Sequence, residues 1–506
     1  MAIEYLETAT QEPTPATDRL RWLLAERVVI KSGSLDYDEF NAILREVAQE
    51  CESEILKAID GGRWVQALLA TDSIKSAYFH EHVLRRYAEF AERRMSLNVH
   101  MRLFHGYTST ATLMGFNAFG TRRLLIGYYV IQGRLVVLAL GLHKGKPAVM
   151  FVEDTDRYFG RLESIARQWK GLVELPASSL YGPNSGPANQ NLFSLGVCNG
   201  EFLQHILQDM DQFNEVFISP HSFLNVLPMH IAFVMDGYEV YAGCRSVHVI
   251  PSLGLIASME DNCFKDVVSA ARQGATRCAT LCDPGIECTA AERDSLLGLR
   301  AMGFLSECAE IVETYPNLLG QSLESTRYLH ISCHGRSSSR SWHRSSIRLG
   351  DADVTAQDIL TSANLTATSF CSLSACQTGV QLDLDARSDF YCGLDMAFMA
   401  CGCPSIASTF WSVNSTAAMI YNLVFQYYAF VGRRWPFAVA HRCAIIALRD
   451  GHWKSIVQET QSVIQSGHWP AASCQYLEPW LRSVQSLSEN RFANVLYWGA
   501  FKYIGW

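Results

Sequence analysis

Past a polar stretch at Arg272 to Arg277, short apolar runs alternate with amphipathic ones in a fixed order. A strand pattern "CATLCDP" is followed by a helical stretch, then "RYLHISCHG", the hairpin pattern "SSIRLGDADV", the helical "TAQDILTSANL" and the strand pattern "TSFCSLSACQTG". Strands that alternate with helices are joined by crossovers, and crossovers produce parallel pairing. This order restricts the segment to an α/β fold with a mostly parallel sheet flanked by helices.

The same punctuation begins upstream. "RLLIGYYVIQGRLVVLALG" reads as a hairpin, because Gln132, Gly133 and Arg134 interrupt its apolar run, which also excludes a bilayer span over Leu124 to Leu142. "PAVMFVE" is a further strand and "DTDRYFGRLESIARQW" an amphipathic helix, while Pro176 to Asn191, rich in Pro, Gly, Ser and Asn, reads as a loop or linker. A helix to about Met210, the strand "EVFISP", the turn "HSFLNVLP" and strands through "VHVIPS" follow. The repetition predicts two related α/β halves. Residues 18 to about 105 read as helical, with Phe40, Ile43, Leu44, Val47, Cys51 and Ile55 at three- and four-residue spacing and a break at Asp60 to Gly62. No 34-residue helical repeat is evident, so an adaptor domain and a packing cap both remain open.

A chain of 506 residues exceeds one ordinary core, and 49% hydrophobic against 18% charged residues marks it as globular. Its net charge of −8 and lack of a basic tract argue against nucleic acid as the main partner. The N-terminus "MAIEYLETATQEPTPATDR" has no apolar core, so no secretory signal is expected, no membrane partner is predicted and the expected location is cytoplasmic. Sixteen cysteines are then expected as free thiols, most of them buried.

Two of the predicted strands end in reactive residues, His334 and Cys376, which lie 42 residues apart. That span accommodates a hairpin and one helix, a crossover that puts both strand ends on one edge of a parallel sheet. Ligands bind at that edge in open α/β sheets. An imidazole beside a thiol favours the thiolate and protonates a leaving amine. Cys376 is therefore a candidate nucleophile and His334 a candidate general acid/base, with the N–H groups of Gly335 and Cys376 as candidate oxyanion donors. The pair alone leaves open whether Cys376 is a packing thiol. His330, inside the strand, reads as a packed or hydrogen-bonded core histidine, and Cys333 as apolar filling.

Other chemistries fit less well. Cys333, His334, Cys371, Cys376, Cys392, Cys401 and Cys403 lie close in sequence, but no two-residue-spaced pair occurs among the cysteines and "CGC" has the wrong spacing for zinc, so no metal is expected. No P-loop and no dinucleotide fingerprint appears. A thiol acyl hydrolase on another α/β fold needs a glycine two residues before its nucleophile, and "SACQT" lacks it.

In order and spacing, "YLHISCHG", "LGDADVTAQDIL", "FCSLSACQTG", "GLDMAFMACGCPSIASTFWSVN" and "LYWGAFKYIG" resemble the CHAT family of caspase-like cysteine proteases, in the separase, caspase and gingipain clan. "EVFISPHSFLNVLPMHIA" and "VHVIPSLGLI" are similar to the family's N-terminal half. The resemblance covers about residues 110 to 506. It leaves outside a helical N-terminal domain over 1–107, read from the apolar spacing, and implies a pseudoprotease-like half over 108–270 and an active protease half over 271–506. It also implies an endopeptidase with a His334–Cys376 dyad and no cofactor, cutting a specific protein in a defence or programmed-death pathway. A gasdermin-like pore-former or a CRISPR-associated protein is the kind of substrate implied, with a regulatory partner for the N-terminal helices. A caspase-like scaffold without activity is the alternative.

One departure stands out. Many members carry an aspartate shortly after the Trp-x-Val of "STFWSVNST", where it receives a basic P1 side chain. Here Asn414 and Ser415 occupy that place. A neutral group cannot offer the charge that a buried cation needs, so a basic P1 preference is in doubt. Asp383, Asp385 and Asp389 are candidate substitutes, although their loop also reads as solvated surface. Trp411 is a candidate pocket residue with core packing as its alternative. The run from Ser337 to Ser346 reads as disordered or solvent-facing, with a substrate-contact loop as the other option.

Overall fold

The computed structural model describes residues 2–6, 49, 51–72, 75, 113, 116, 122–154, 157–173, 175, 177–182, 185–207, 210–234, 244–254, 276–283, 286–310, 326–338, 344–365, 367–379, 393–432 and 434–505. These fall into two compact units, one within Met1–Ala166 and Val197–Asn262, the other within Arg167–Gly196, Cys263–Leu382 and Cys392–Trp506.

The first unit is a mixed sheet. Its strands are β1 (Ala2–Tyr5), β2 (Arg123–Ile131), β3 (Arg134–His143), β4 (Lys146–Asp154), β5 (Glu215–Ser219) and β6 (Ser246–Val249), in the order β1-β4-β3-β2-β5-β6. The β1 to β4 pairings are antiparallel, and β2, β5 and β6 run parallel. The hairpin at Gln132 and Gly133 closes as expected: both take left-handed φ (49° and 79°), the geometry that matches strand twist in a two-residue turn. Lys144 and Gly145 repeat it between β3 and β4, where Asp211 accepts from both of their backbone N–H groups.

Residues 51–60 and 64–72 are helical, broken at Gly62 (φ 71°) as the sequence suggested. They do not stand apart from the sheet. The buried Asp72 carboxylate accepts from Leu253 N–H (2.6 Å) and Gly254 N–H (2.8 Å), and Lys75 Nζ donates to the Ser219 carbonyl (2.9 Å). The chain also contributes a strand, Ala2–Tyr5, before any helix. The expected linker at Pro176 to Asn191 is shorter than its composition suggested. Helix α1 (Arg157–Val173) precedes it, a short helix covers Ala177–Leu180, and α2 (Gly186–Leu207) begins inside it. Pro187 sits in the first turn of α2, where its missing N–H has no helical partner to lose.

The second unit follows the predicted order closely. It contains β7 (Thr276–Cys282), α3 (Glu287–Ala301), β8 (Leu305–Glu310), β9 (Tyr328–Ser332), β10 (His334–Arg336), β11 (Ser346–Leu349), β12 (Ala352–Thr355) and α4 (Ala356–Ser362). Then come β13 (Phe370–Ser374), α5 (Leu394–Ala400), β14 (Ser405–Thr409), α6 (Ser415–Gln426), α7 (Phe437–Asp450), α8 (Trp453–Gln465) and β15 (Phe501–Gly505). The main strands lie in the order β15-β14-β13-β9-β7-β8, all parallel except the β15 pairing. This is the mostly parallel, helix-flanked α/β sheet the sequence predicted. Tyr328, Phe370 and Phe425 fill one face, with Phe370 and Phe425 stacked at 5.1 Å.

The hairpin runs in a separate antiparallel sheet, β10-β11-β12. Thr355 then caps α4: its hydroxyl accepts from Asp358 N–H (3.1 Å) while Asp358 accepts from Thr355 N–H (2.9 Å). Such a reciprocal cap stabilises a helix start by about 1 kcal/mol. The Ser-rich run is not wholly solvent-facing, because Ser345 and Ser346 are buried at its end. Among the described residues, no helix is long and apolar enough to cross a membrane.

Candidate active site

Strands β7, β9 and β13 finish level with one another: Cys282 pairs with Ser332, and Ser332 pairs with Ser374. The strand "YLHISCHG" thus ends at Ser332, before His334, where the expectation had placed its end at His334 itself. Cys333 N–H still reaches the Ser374 carbonyl (3.3 Å), after which the chain leaves the main sheet. His334 starts β10 and pairs with Arg348. His334 and Cys376 each stand two residues beyond the registered pair Ser332 and Ser374. One edge of the parallel sheet carries both.

The backbones that follow run in contact. A Cβ built on Gly335 would lie 2.2 Å from the Cys376 carbonyl oxygen and 3.2 Å from its nitrogen, so only glycine allows this approach. One step further, Ser337 N–H donates to Gln377 Oε1 (3.3 Å). His334 is exposed, whereas Cys376 is half-buried.

The thiol sits in a defined polar environment. Burial pushes the Cys376 thiol above its ordinary range, while hydrogen bonds from the Val413 N–H and the Ser412 hydroxyl oppose that rise by favouring the thiolate. Cys333 and Cys371 differ: both are buried, and burial pushes both thiols well up. His330, read as a core histidine, is fully buried and its Nε2 meets Glu292 Oε2 at 2.8 Å. Glu292 Oε1 accepts from Ser374 Oγ (3.0 Å), which accepts in turn from Asn422 Nδ2 (3.0 Å). Helices α3 and α6 thereby hold the end of the cysteine strand.

The loop after Cys376 is fixed from several sides. Gln377 takes a left-handed φ of 56°, a conformation uncommon for a residue with a side chain. Its Nε2 donates to the Val173 carbonyl (3.0 Å) and Ser412 Oγ (3.4 Å). Thr409 Oγ1 donates to the Ala375 carbonyl (2.6 Å), and Lys502 Nζ donates to the Gly379 carbonyl (2.5 Å). Lys502 also meets Asp395 Oδ2 at 2.8 Å, with neither side chain exposed. Burial pushes the Asp395 carboxyl up to about 8 and the Lys502 ammonium down, so desolvation draws each toward its neutral form while the 2.8 Å contact opposes that by pairing the charges. Gly379 makes room for this contact, since a Cβ there would lie 2.1 Å from Lys502 Cε.

The remaining predicted residues are placed as follows. Trp411 has no exposed surface; its indole donates to the Leu496 carbonyl (3.0 Å) and meets Trp169 edge-on at 5.0 Å. Asn414 caps α6, accepting from Ala417 N–H (3.1 Å). Ser415 is the exposed first residue of that helix. Asp383, Asp385 and Asp389 lie outside the described residues. Cys401 and Cys403 are buried and each donates to a backbone carbonyl. Among the described residues, no group of three or more His, Cys, Asp or Glu is placed to hold a metal ion. Sequence reasoning gave no role to Ser412, Val413, Gln377 and Lys502, although all four lie in the quoted motifs, and it passed over Glu292, which lies in none.

The sheet and its level strand ends set the class as a mostly parallel α/β fold, in keeping with the caspase-like cysteine-protease family that the sequence resembles. A family model described as CHAT domain matches residues 198–506, and the chain belongs to that family. Two similar solved structures are both of the Saccharomyces cerevisiae separase–securin complex. The one at 3.0 Å shares 9% identity with a TM-score of 0.46, covering 100% of this chain and 38% of that one. The one at 2.6 Å shares 8% identity with a TM-score of 0.45, covering 95% of this chain and 42% of that one. No curated protein matches the sequence.

Proposed function

We propose that the chain is a cysteine endopeptidase in which Cys376 is the nucleophile and His334 the general acid/base. The observation that carries this reading is the register of Ser332 with Ser374, the last residues of adjoining strands, beyond each of which His334 and Cys376 stand two residues further on, with Gly335 against the Cys376 carbonyl. In the reaction, His334 takes the thiol proton as Cys376 Sγ bonds to the scissile carbonyl carbon, and the oxyanion forms beside the N–H groups of Gly335 and Cys376. His334 then gives its proton to the leaving amine as the C–N bond breaks. Water, deprotonated by His334, hydrolyses the thioester and regenerates the thiol.

The target is a specific protein partner. A gasdermin-like pore-former or a CRISPR-associated protein suits the family resemblance, with cleavage set in a defence or programmed-death response. The helices within residues 1–107 serve a regulatory partner, and the half over 108–270 acts as a pseudoprotease lobe. Asn414 and Ser415, the cap and first residue of α6, act in substrate selection without a buried charge, while Trp411 serves from behind by packing against Trp169 and Leu496.

A second reading has one observation in its favour. Burial holds the Cys376 thiol above its ordinary range, which suits a silent scaffold or a resting enzyme that awaits a trigger. Co-incubation with proteins encoded beside the chain, read by mass spectrometry of new termini, separates the two. Cleavage lost in both Cys376→Ala and His334→Ala supports the peptidase; cleavage that survives Cys376→Ala sinks it.

A further inference from the structure

Helices α3, α6 and α8 and the π turn Tyr427–Val431 enclose an open cavity of about 160 Å³ within the second unit. Its walls are mostly apolar, with Leu299, Met302, Leu423, Val463 and Trp469 among them. Gly298 makes one wall possible: a Cβ there would stand 1.8 Å from the Trp469 ring, so the glycine lets the indole lie against α3. A π turn in line with an α-helix is uncommon and recurs at functional sites.

One polar side chain interrupts the lining. Gln426 is only 1% exposed, and its Oε1 accepts from Ser295 Oγ (2.7 Å). Its Nε2 has no hydrogen-bond partner among the described residues. A buried amide donor left unpaired is destabilising, so the position favours something that brings an acceptor. An apolar cavity of roughly 150 Å³ takes a molecule of about benzene's size. The exposed Glu459, which accepts from Tyr427 Oη (3.2 Å), makes the mouth acidic and disfavours an anion.

The same two helices reach the cysteine strand one turn away. Glu292 lies one turn before Ser295 on α3, Asn422 lies one turn before Gln426 on α6, and both bond Ser374. We propose that this cavity binds a small neutral molecule of one-ring size whose acceptor is read by Gln426 Nε2, and that occupancy is felt at Ser374 through Glu292 and Asn422. Only the catalytic consequence of that link rests on the peptidase reading, because neither binding nor thiol labelling requires peptide hydrolysis.

The test uses the full chain with acetophenone, ethylbenzene and benzoate as probes, read by thermal shift and by the rate at which iodoacetamide labels Cys376. Acetophenone near saturation should raise Tm by about 2 °C or more, ethylbenzene should bind about fivefold more weakly, and benzoate should give no shift. Gln426→Met should erase the preference for acetophenone, and Val463→Phe, which fills the cavity, should abolish binding of both rings. Labelling of Cys376 should change at least about twofold with acetophenone bound. No shift with acetophenone, or a preference that survives Gln426→Met, overturns the site. An unchanged labelling rate in protein whose Tm has risen overturns the link to Ser374.

Discussion

Gly335 and Cys376 meet backbone to backbone, so closely that a single added methyl group would stand 2.2 Å from the Cys376 carbonyl oxygen. The contact joins strand β10, which carries the candidate base, to the loop that carries the candidate nucleophile. Gly335→Ala should therefore separate β10 from that loop while leaving the rest of the core in place. We expect a loss of activity toward a cleaved partner of about a hundredfold, the scale of a misplacement near 1 Å, with only a modest fall in Tm. Steady-state kinetics beside a melting curve check this; an alanine variant with unchanged turnover would show that the contact is dispensable.

The left-handed φ of Gln377 and its hydrogen bonds to Val173, Ser337 and Ser412 fix the turn after the cysteine. Asn tolerates that backbone, whereas a β-branched residue does not. Gln377→Val should destabilise the protein by about 2 kcal/mol and Gln377→Asn by about half as much. Denaturant melts of the two variants give the order directly. A valine variant at least as stable as the asparagine one would contradict it.

Much of this was legible in the sequence, and the limits are physical. The Gln132–Gly133 hairpin, the order of strands and helices from Thr276 onward and the position of His334 and Cys376 near strand ends follow from local patterns of period and turn chemistry. Glu292 with His330 and Asp395 with Lys502 were not legible, because each pair joins residues far apart in the chain and neither residue of a pair marks its partner. Asn414 drew a substrate role from the family resemblance, whereas its work as the N-cap of α6 was not legible, because that role depends on where the helix begins. The start of α2 inside a Pro- and Gly-rich stretch was hidden for a related reason: the composition that makes loops also starts helices.

The buried Lys502–Asp395 pair supports the turn at Gly379 and gives an asymmetric double-mutant result. Lys502→Met leaves a carboxyl buried without its partner and should cost about 3 kcal/mol. Adding Asp395→Leu should recover much of that loss, since two apolar groups of similar size no longer need each other's charge. Chemical denaturation measures both, and a double variant no more stable than Lys502→Met would remove the pair from this account.

Thiol chemistry should follow the environment of Cys376. Its thiol is held above the ordinary range by burial, so alkylation in the resting protein should still be climbing with pH where a free cysteine has reached its plateau. Ser412→Ala removes a hydrogen bond that favours the thiolate, and the profile should move further toward alkaline pH. Rates of iodoacetamide labelling across pH test the direction. A shift toward acid in Ser412→Ala would mean that the hydroxyl does not favour the thiolate.

The most direct test of the His334–Cys376 assignment needs no known substrate. A set of peptidyl acyloxymethyl ketones, which capture a cysteine nucleophile only when it attacks a substrate-like carbonyl, can be reacted with the protein and the adduct mapped by mass spectrometry. The account predicts labelling of Cys376 alone, slowed by about a hundredfold or more in His334→Ala. Labelling spread over half-buried thiols such as Cys288 and Cys443, or a Cys376 rate indifferent to His334→Ala, would contradict it.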